Sequence, residues 1–413
     1  MIQEWIYNWL TPIWIVSLGC LLGQLTLLLL WGLAWLVAKS LKGDSKISRL
    51  AREVPLAVTE GPMKPLIIGL TVFSLFALGG WLAVERPAEL LRSLGRIGMV
   101  GTSTMPEDVA PTPRDKYGEV DQTAESTIEF GVWGDEIRSI EFASDQQLTI
   151  SAQPVDLETA ERAELTVLPG EKYFWRSSET LFLAFAEDQI VENLYVSNSG
   201  DKPAKLTMTV VTSPRFPQVY SIPVTACFVC FVVLLYFAIR TFAPRMTGIA
   251  LATYKSEIAQ PLFPILVGLG CCLIVLFVFI PYNTFGDDIK MMKDTGFSLI
   301  LVFCLIQLMW AAGTSVADEI DGRTALTVLS KPIGRRSFLI GKFAGISWVV
   351  FLLFAALSVA FILSVAYKPI YDARELSKAI DDWQPCFQEI QLSVPGLILV
   401  LLEVLLLTAV SVA

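Results

Sequence analysis

The sequence predicts an α-helical polytopic membrane protein, with about seven transmembrane helices, that carries an inserted all-β sandwich domain. Three observations predict it. The chain of 413 residues is 54% hydrophobic and only 17% charged, where soluble domains carry about 25% charged residues, and its mean hydropathy is +0.58. Several apolar runs reach the length of about 20 residues that a helix needs to cross about 30 Å of hydrocarbon. Between the second and third of these runs the pattern changes to short alternating stretches broken by polar and Gly/Pro turns.

The apolar runs cover 13–38, 65–85, 219–241, 261–282, 296–316, 338–366 and 394–413. Helix is the only plausible form for them, because lipid leaves each backbone polar group to be satisfied within its own segment. Trp5, Tyr7, Trp9 and Trp14 before the first run read as an interfacial aromatic belt. "MIQEWIYNWL" has no basic n-region and no small-residue cleavage site, so the first run is read as a span rather than a signal peptide. The loop after it collects Lys39, Lys42, Lys46, Arg49 and Arg52, which by the positive-inside rule places that loop in the cytoplasm and the N-terminus outside. Alternation then puts 86–218, 283–295 and 367–393 outside, with 242–260 and 317–337 inside. Arg240 and Arg245 agree with that count. The expected location is the inner (cytoplasmic) membrane, multi-pass.

Residues 86–218 are a different material. "RPAELLRSLGRIG" has Pro87 at a first helical position and Leu90, Leu91, Leu94 and Ile97 at spacings of three and four, the pattern of a short helix on the membrane surface. "GTSTMPEDVAPTPRDKYGEV" reads as a Pro-rich linker. "STIEFGVW", "IRSIEFA", "QQLTISA", "AELTVL", "ETLFLAF", "VENLYVSN" and "AKLTMTVVT" then alternate as strands, as in a small antiparallel sandwich. Its role is either that of a spacer or that of a module binding substrate or partner.

The composition excludes several functions. A net charge of -9 speaks against nucleic acid, since no basic face is concentrated here. With no histidine, the commonest general base and metal ligand is missing, and no nucleophile-base pair or metal cluster is visible, so the chain is not expected to be an enzyme. Of seven cysteines, only Cys386 lies in a polar segment, so no disulfide framework is visible, and the "CFVC" of 227–230 reads as small apolar packing. Met291 and Met292 beside Asp287 and Asp288 read as a solvated loop. Glu403 is the one clear ionisable residue within an apolar run, either a lining residue or helix–helix anchor, or a residue of a shifted span nearer the outer surface. Gln24 and Gln307 read as interhelical glue.

The connector between the fifth and sixth runs is unusually charged. From Ser315 to Leu329 it suits a helix, with Val316, Ile320, Ala325 and Leu326 on one face and Asp318, Glu319, Asp321 and Arg323 on the other. Pro332 stops that helix, and a second begins near Arg335. The basic residues Lys331, Arg335, Arg336 and Lys342 follow from topology alone. The acidic cluster does not, because Asp and Glu contribute little to orientation.

The stretch "ADEIDGRTALTVLSKPIGRRSFLIGKFAG" resembles the cytoplasmic segment of type 2 ABC transporter permeases, through Glu319, Gly322, Thr324, Leu329, Ser330, Lys331, Pro332, Ile333, Arg335, Phe338, Gly341 and Lys342. Arg323, between Gly322 and Thr324, departs from the pattern. "TGIALATYKSEIAQPLFPIL", 247–266, is similar to the elbow helix that precedes the first core span. The resemblance runs from about 247 to 413 and is closest to permease components of multicopper-enzyme maturation systems. It implies that 317–337, with Asp318, Asp321 and Arg336 beside the matched positions, is a docking surface for a separate cytoplasmic ABC ATPase subunit. It also implies a second permease subunit, the same chain or a sister chain, and transport in a direction the sequence leaves open, with export as the expectation.

The sequence agrees with that division of labour. It contains no P-loop, and Gly334 to Gly341 followed by Lys342 and Phe343 has the wrong spacing. No cofactor is expected on this chain, ATP belonging to the partner. Membrane lipid is the remaining partner. After the elbow the family usually has six spans where four are read here, so the chain is expected to be either a fragment or an unusually short permease.

The resulting division is 1–85, two helices with a basic cytoplasmic loop; 86–126, interfacial helix and linker; 127–218, extracytoplasmic β-sandwich; 219–246, third helix; and 247–413, permease core with a last span that runs to its end. The expected function is the transmembrane subunit of an ATP-driven transporter. The alternative is a non-transporting anchor that displays the sandwich for binding or assembly.

Overall fold

The computed structural model describes residues 2–40, 54–55, 61–84, 86–114, 124–153, 164–176, 189–282, 284, 287–321, 334–376 and 382–412, with backbone only at 2–4, 40, 315–321 and 335. The chain divides into two compact units, one of Met1–Glu85 with Ser221–Ala413 and one of Arg86–Tyr220.

The helical unit contains α1 (Ile2–Ser40) and α2 (Lys64–Gly79). The second unit opens with α3 (Pro87–Arg96), and the helical unit resumes with α4 (Ser221–Phe242), α5 (Pro244–Ile258), α6 (Leu262–Val278), α7 (Asp288–Asp321), α8 (Arg335–Glu375) and α9 (Gln384–Val412). Among the described residues six helices are long and apolar enough to cross a membrane, and a seventh if α5 and α6, bent by 65° at their junction, count as one span. The protein is therefore a multi-pass membrane protein. Leu28, Leu29 and Leu33 on α1, Phe228 and Phe231 on α4, and Leu399 and Leu406 on α9 are exposed, as a lipid solvent permits.

Small residues set the closest approaches. Gly19 and Gly23 of α1 meet α4: an added Cβ would stand 2.6 Å from Thr225 Cβ and 3.0 Å from Val229 Cβ, respectively. This is the packing by which small residues let membrane helices touch. The Cys230 thiol shares a hydrogen bond with the Thr26 hydroxyl in the same seam, 3.0 Å. Ser74 of α2 donates to Gln24 Oε1, 3.1 Å, so Gln24 does join two helices. Gln307 is fully buried on α7.

The contacts fall into two ends. At one, Trp14 Nε1 donates to Ala77 O (2.9 Å), the rings of Trp5 and Trp9 stand against Tyr367, Lys368 reaches Val278 O and Lys293 pairs with Glu389. At the other, Trp348 Nε1 donates to Pro62 O (2.9 Å) and Thr314 to Glu257. Successive spanning helices thus alternate in direction. Between the ends, Ile274, Ile300, Cys304, Val350, Leu353, Leu357 and Phe361 are fully or almost fully buried in one core drawn from α6, α7 and α8.

The second unit holds β1 (Thr102–Val109), β2 (Ser126–Trp133), β3 (Ile137–Ser144), β4 (Leu148–Ser151), β5 (Leu165–Val167), β6 (Lys172–Arg176), β7 (Ile190–Asn198) and β8 (Ala204–Thr212). They form two four-stranded antiparallel sheets, ordered β1-β8-β3-β6 and β2-β7-β4-β5. Alternate residues of both sheets enter one core, among them Ile140, Phe142, Leu148, Ile150, Leu194, Val196, Leu206, Met208 and Val210. Each such side chain contributes about 1.5–3 kcal/mol by leaving water. The register of β2 on β7 shifts between Glu129 and Val132, and Gly131 takes the left-handed φ of 59° that this bulge requires.

Around α3 the same unit is held by charge. The Arg92 guanidinium lies over the Trp133 ring at 3.6 Å, Arg96 Nε meets Glu136 Oε1 at 2.5 Å, and Arg215 reaches Glu89 at 3.3 Å and Asp135 at 3.6 Å.

Several expectations are corrected. The linker contains β1, an edge strand on β8, and Pro106 is tolerated there because an edge leaves N–H positions unpaired. KYFWR at 172–176 is also a strand, while ETLFLAF lies outside the described residues. Of the α3 stripe, Leu90 is buried, while Leu91, Leu94 and Ile97 are half-buried. The loops expected at 283–295 and 367–393 are largely helix: α7 begins at Asp288 with Met292 buried, α8 runs to Glu375 through Pro369, and α9 starts at Gln384.

Candidate functional site: the helices that flank the charged connector

α5 forms where Pro244 can occupy the first turn without needing an N–H partner. It is amphipathic: Arg245 and Lys255 are exposed while Tyr254 and Glu257 are buried. Ala259, Gln260 and Pro261 end it, and the chain bends into α6. Tyr254 packs with Val349 and Leu352 of α8.

α8 grips α5 through two glycines one helical turn apart. A Cβ at Gly341 would stand 2.9 Å from Ile249 Cβ and 3.0 Å from Met246 O. At Gly345 it would stand 2.7 Å from Ala250 O. Gly341, matched by sequence pattern alone, therefore has a physical reason, since a side chain would force the helices apart. Lys342, one residue on, places its ammonium 5.4 Å from the Phe338 ring.

α7 holds α5 from the other side. Thr314 Oγ1 donates to Glu257 Oε1 at 3.1 Å, and Trp310 Nε1 donates to Gln260 Oε1. The Glu257 side chain is 1% exposed. The helix that ends at Asp321 and the helix that begins at Arg335 thus close on the same short helix. A displacement of either flanking helix therefore bears on α5, and α5 continues into α6. The arrangement can transmit force, and among the described residues no three His, Cys, Asp or Glu side chains lie together as a metal site.

Of the residues assigned to docking, Asp318, Glu319 and Asp321 lie on the last turns of α7, and Arg335 and Arg336 open α8, with Arg336 exposed. Gly322, Arg323, Thr324, Leu329, Ser330, Lys331 and Pro332 lie outside the described residues. Glu403 lies far from this end of α8 in sequence, on α9, exposed beside buried Val404. Sequence reading missed Glu257, Gln260, Trp310 and Thr314. The spacing of Gly341 and Gly345, a GxxxG pattern in an apolar helix, was the available signal for the α5 seam.

Residues 134–380, more than half of the chain, match the family profile described as ABC-2 family transporter protein. The match starts within the β unit, ends before α9, and includes α5, the connector and α8. No curated protein and no solved structure matches the chain. Members of that family are in general non-catalytic membrane subunits that work with an ABC ATPase. A polytopic helical unit, a bent amphipathic helix clasped by the two helices that flank the charged connector, and a match over more than half of the chain lead to one statement: the protein belongs to the ABC-2 transporter family.

Proposed function

We propose that the chain is the transmembrane permease subunit of an ATP-driven transporter, and that a separate cytoplasmic ATPase docks on residues 317–337. The observation that carries this reading is the clasp: α7 and α8, which flank the connector, hold α5 through Glu257–Thr314 and the Gly341–Gly345 seam. Nucleotide turnover on the partner would move the connector, and the clasp would pass that movement to α5 and α6, a rigid-body rearrangement of packed helices. Asp318, Glu319, Asp321, Gly322, Arg323, Thr324, Leu329, Ser330, Lys331, Pro332, Arg335 and Arg336 form the docking surface.

The basic loop after α1 supports a cytoplasmic connector in the inner membrane, with the N-terminus and an extracytoplasmic β-sandwich on the far side. A second permease subunit completes the transporter. Glu403, an ionisable group on an exposed helix face, supports a helix–helix contact there, because carboxylates are costly in lipid.

The test is co-purification of the full chain with its ATPase, followed by ATPase stimulation. Glu319→Ala and Gly322→Pro are expected to abolish stimulation while membrane insertion is retained. Wild-type coupling in both variants would sink the docking role and favour the anchor alternative.

A further inference from the structure

Lys368 lies at the end of α8 opposite the connector, and only 1% of it is exposed. Its ammonium donates to Val278 O at 3.2 Å, one of the last carbonyls of α6, where the negative end of the helix dipole favours a cation. Asp372, one turn further along α8, stands 2.9 Å away. The rings of Tyr371 and Tyr282 lie 5.1 Å and 5.9 Å from the same ammonium. Beyond α6 the chain is tied down on two sides: Phe279 meets Tyr371 edge to face, and the Tyr282 and Thr295 hydroxyls share a hydrogen bond. Lys293 of α7 pairs with Glu389 of α9 at this same end, 2.5 Å.

A buried ion pair adds little net stability over apolar residues of the same volume. A methionine at 368 would fill the space as well, but it would leave the Asp372 carboxylate without its cation. What a lysine adds is a contact that holds while dry and is released once water reaches it. From Arg335 to Lys368 the helix spans about 50 Å, so the clasp on α5 and this contact sit at the two ends of one rod.

We propose that Lys368 is a latch: it fastens the end of α6 to α8 and must release for that end of the core to open during transport. The inference rests on the transporter reading above. Lys368 acts as a positioning residue, through the backbone of α6 and the carboxylate of Asp372.

Met292, 1% exposed, lies in the same core cluster as Val278, with Tyr282 and Tyr371 packed against that cluster, and serves as the reporter. Full-length Met292→Cys is made in the cells that naturally produce the chain, so that any ATPase it works with is present. A membrane-impermeant maleimide is applied to their membranes, and modification of position 292 is read from the mass of its peptide. The parent is expected to label slowly. Lys368→Met should raise the rate at least about tenfold and Asp372→Asn at least about threefold, as expected when a local opening becomes easier. Lys368→Arg should stay near the parent.

ATP with magnesium should raise labelling in the parent and in Lys368→Arg, and leave Lys368→Met and Asp372→Asn, already open, unchanged. Slow labelling in both Lys368→Met and Asp372→Asn overturns the latch, whatever ATP does. Fast labelling in both with no response to ATP makes Lys368 a static pin and also overturns it; the docking assay then judges the transporter reading by itself. If Lys368→Met does not accumulate in the membrane, Asp372→Asn decides.

Discussion

The Thr314 hydroxyl on α7 donates to the buried carboxylate of Glu257 on α5, which fastens the helix leading into the charged connector to the helix leading into α6. Both side chains are polar where the surroundings are apolar, so the contact is specific in a way that packing alone is not. Thr314→Val keeps the volume and removes the donor. Its expected cost is about 1 kcal/mol in unfolding of the purified chain, together with a clear loss of ATPase stimulation in the complex. Lost stability with unchanged stimulation would take α5 out of the transmission path.

Gly345 offers a second test of the clasp. A Cβ there would sit 2.7 Å from the Ala250 carbonyl oxygen, which is backbone and cannot swing aside. Gly345→Val should destabilise by about 1–3 kcal/mol through overpacking, seen as a lower melting temperature in detergent. Gly248, on α5 with open space around its Cβ position, is the control, and Gly248→Ala should leave the melting temperature unchanged or slightly raised.

In the β unit, Arg96→Ala strands Glu136, whose side chain is 5% exposed. Removing one partner of a buried pair costs about 3–5 kcal/mol, and the lower part of that range is expected because Arg96 is 28% exposed. Limited proteolysis of the full chain should show faster cleavage within 86–220. Arg96→Met with Glu136→Met should recover much of the resistance.

Orientation is tested by labelling introduced cysteines. Arg336 is exposed at the start of α8, and the Asp201 side chain is 87% exposed in the β unit. An impermeant maleimide should modify Asp201→Cys in intact cells and Arg336→Cys only after the membrane is opened. The reverse pattern would invert the proposed topology and remove the docking surface from the cytoplasm.

The apolar runs were legible because a span must be apolar along its length, and each of the seven runs lies within or overlaps a helix. Their ends were less so. The end of α8 read as a loop, yet Lys368 and Asp372 stand 2.9 Å apart as an ion pair one turn apart inside the helix, and Pro369 is accommodated there. β1 was hidden by Pro106 and its acidic neighbours, residues that an edge strand accepts and a central strand does not. The connector's charge marked the region of the candidate site. Its grip on α5 depends on what Thr314 and Gly345 face across the helix pair, which neither periodicity nor composition encodes.

β1 and β8, the first and last strands of the β unit, are paired neighbours, with Thr102 opposite Val211 and Thr212 N donating to Gly101 O at 2.9 Å. The polypeptide therefore arrives and departs through adjacent ribbons about 5 Å apart. A cassette with such closely placed ends can be spliced into a host loop by opening only a narrow gap. Arg215 and Glu89, 3.3 Å apart, likewise tie the two ends of Arg86–Tyr220 together, which makes that unit a natural piece to excise, transplant or exchange when the contribution of each module is to be measured separately.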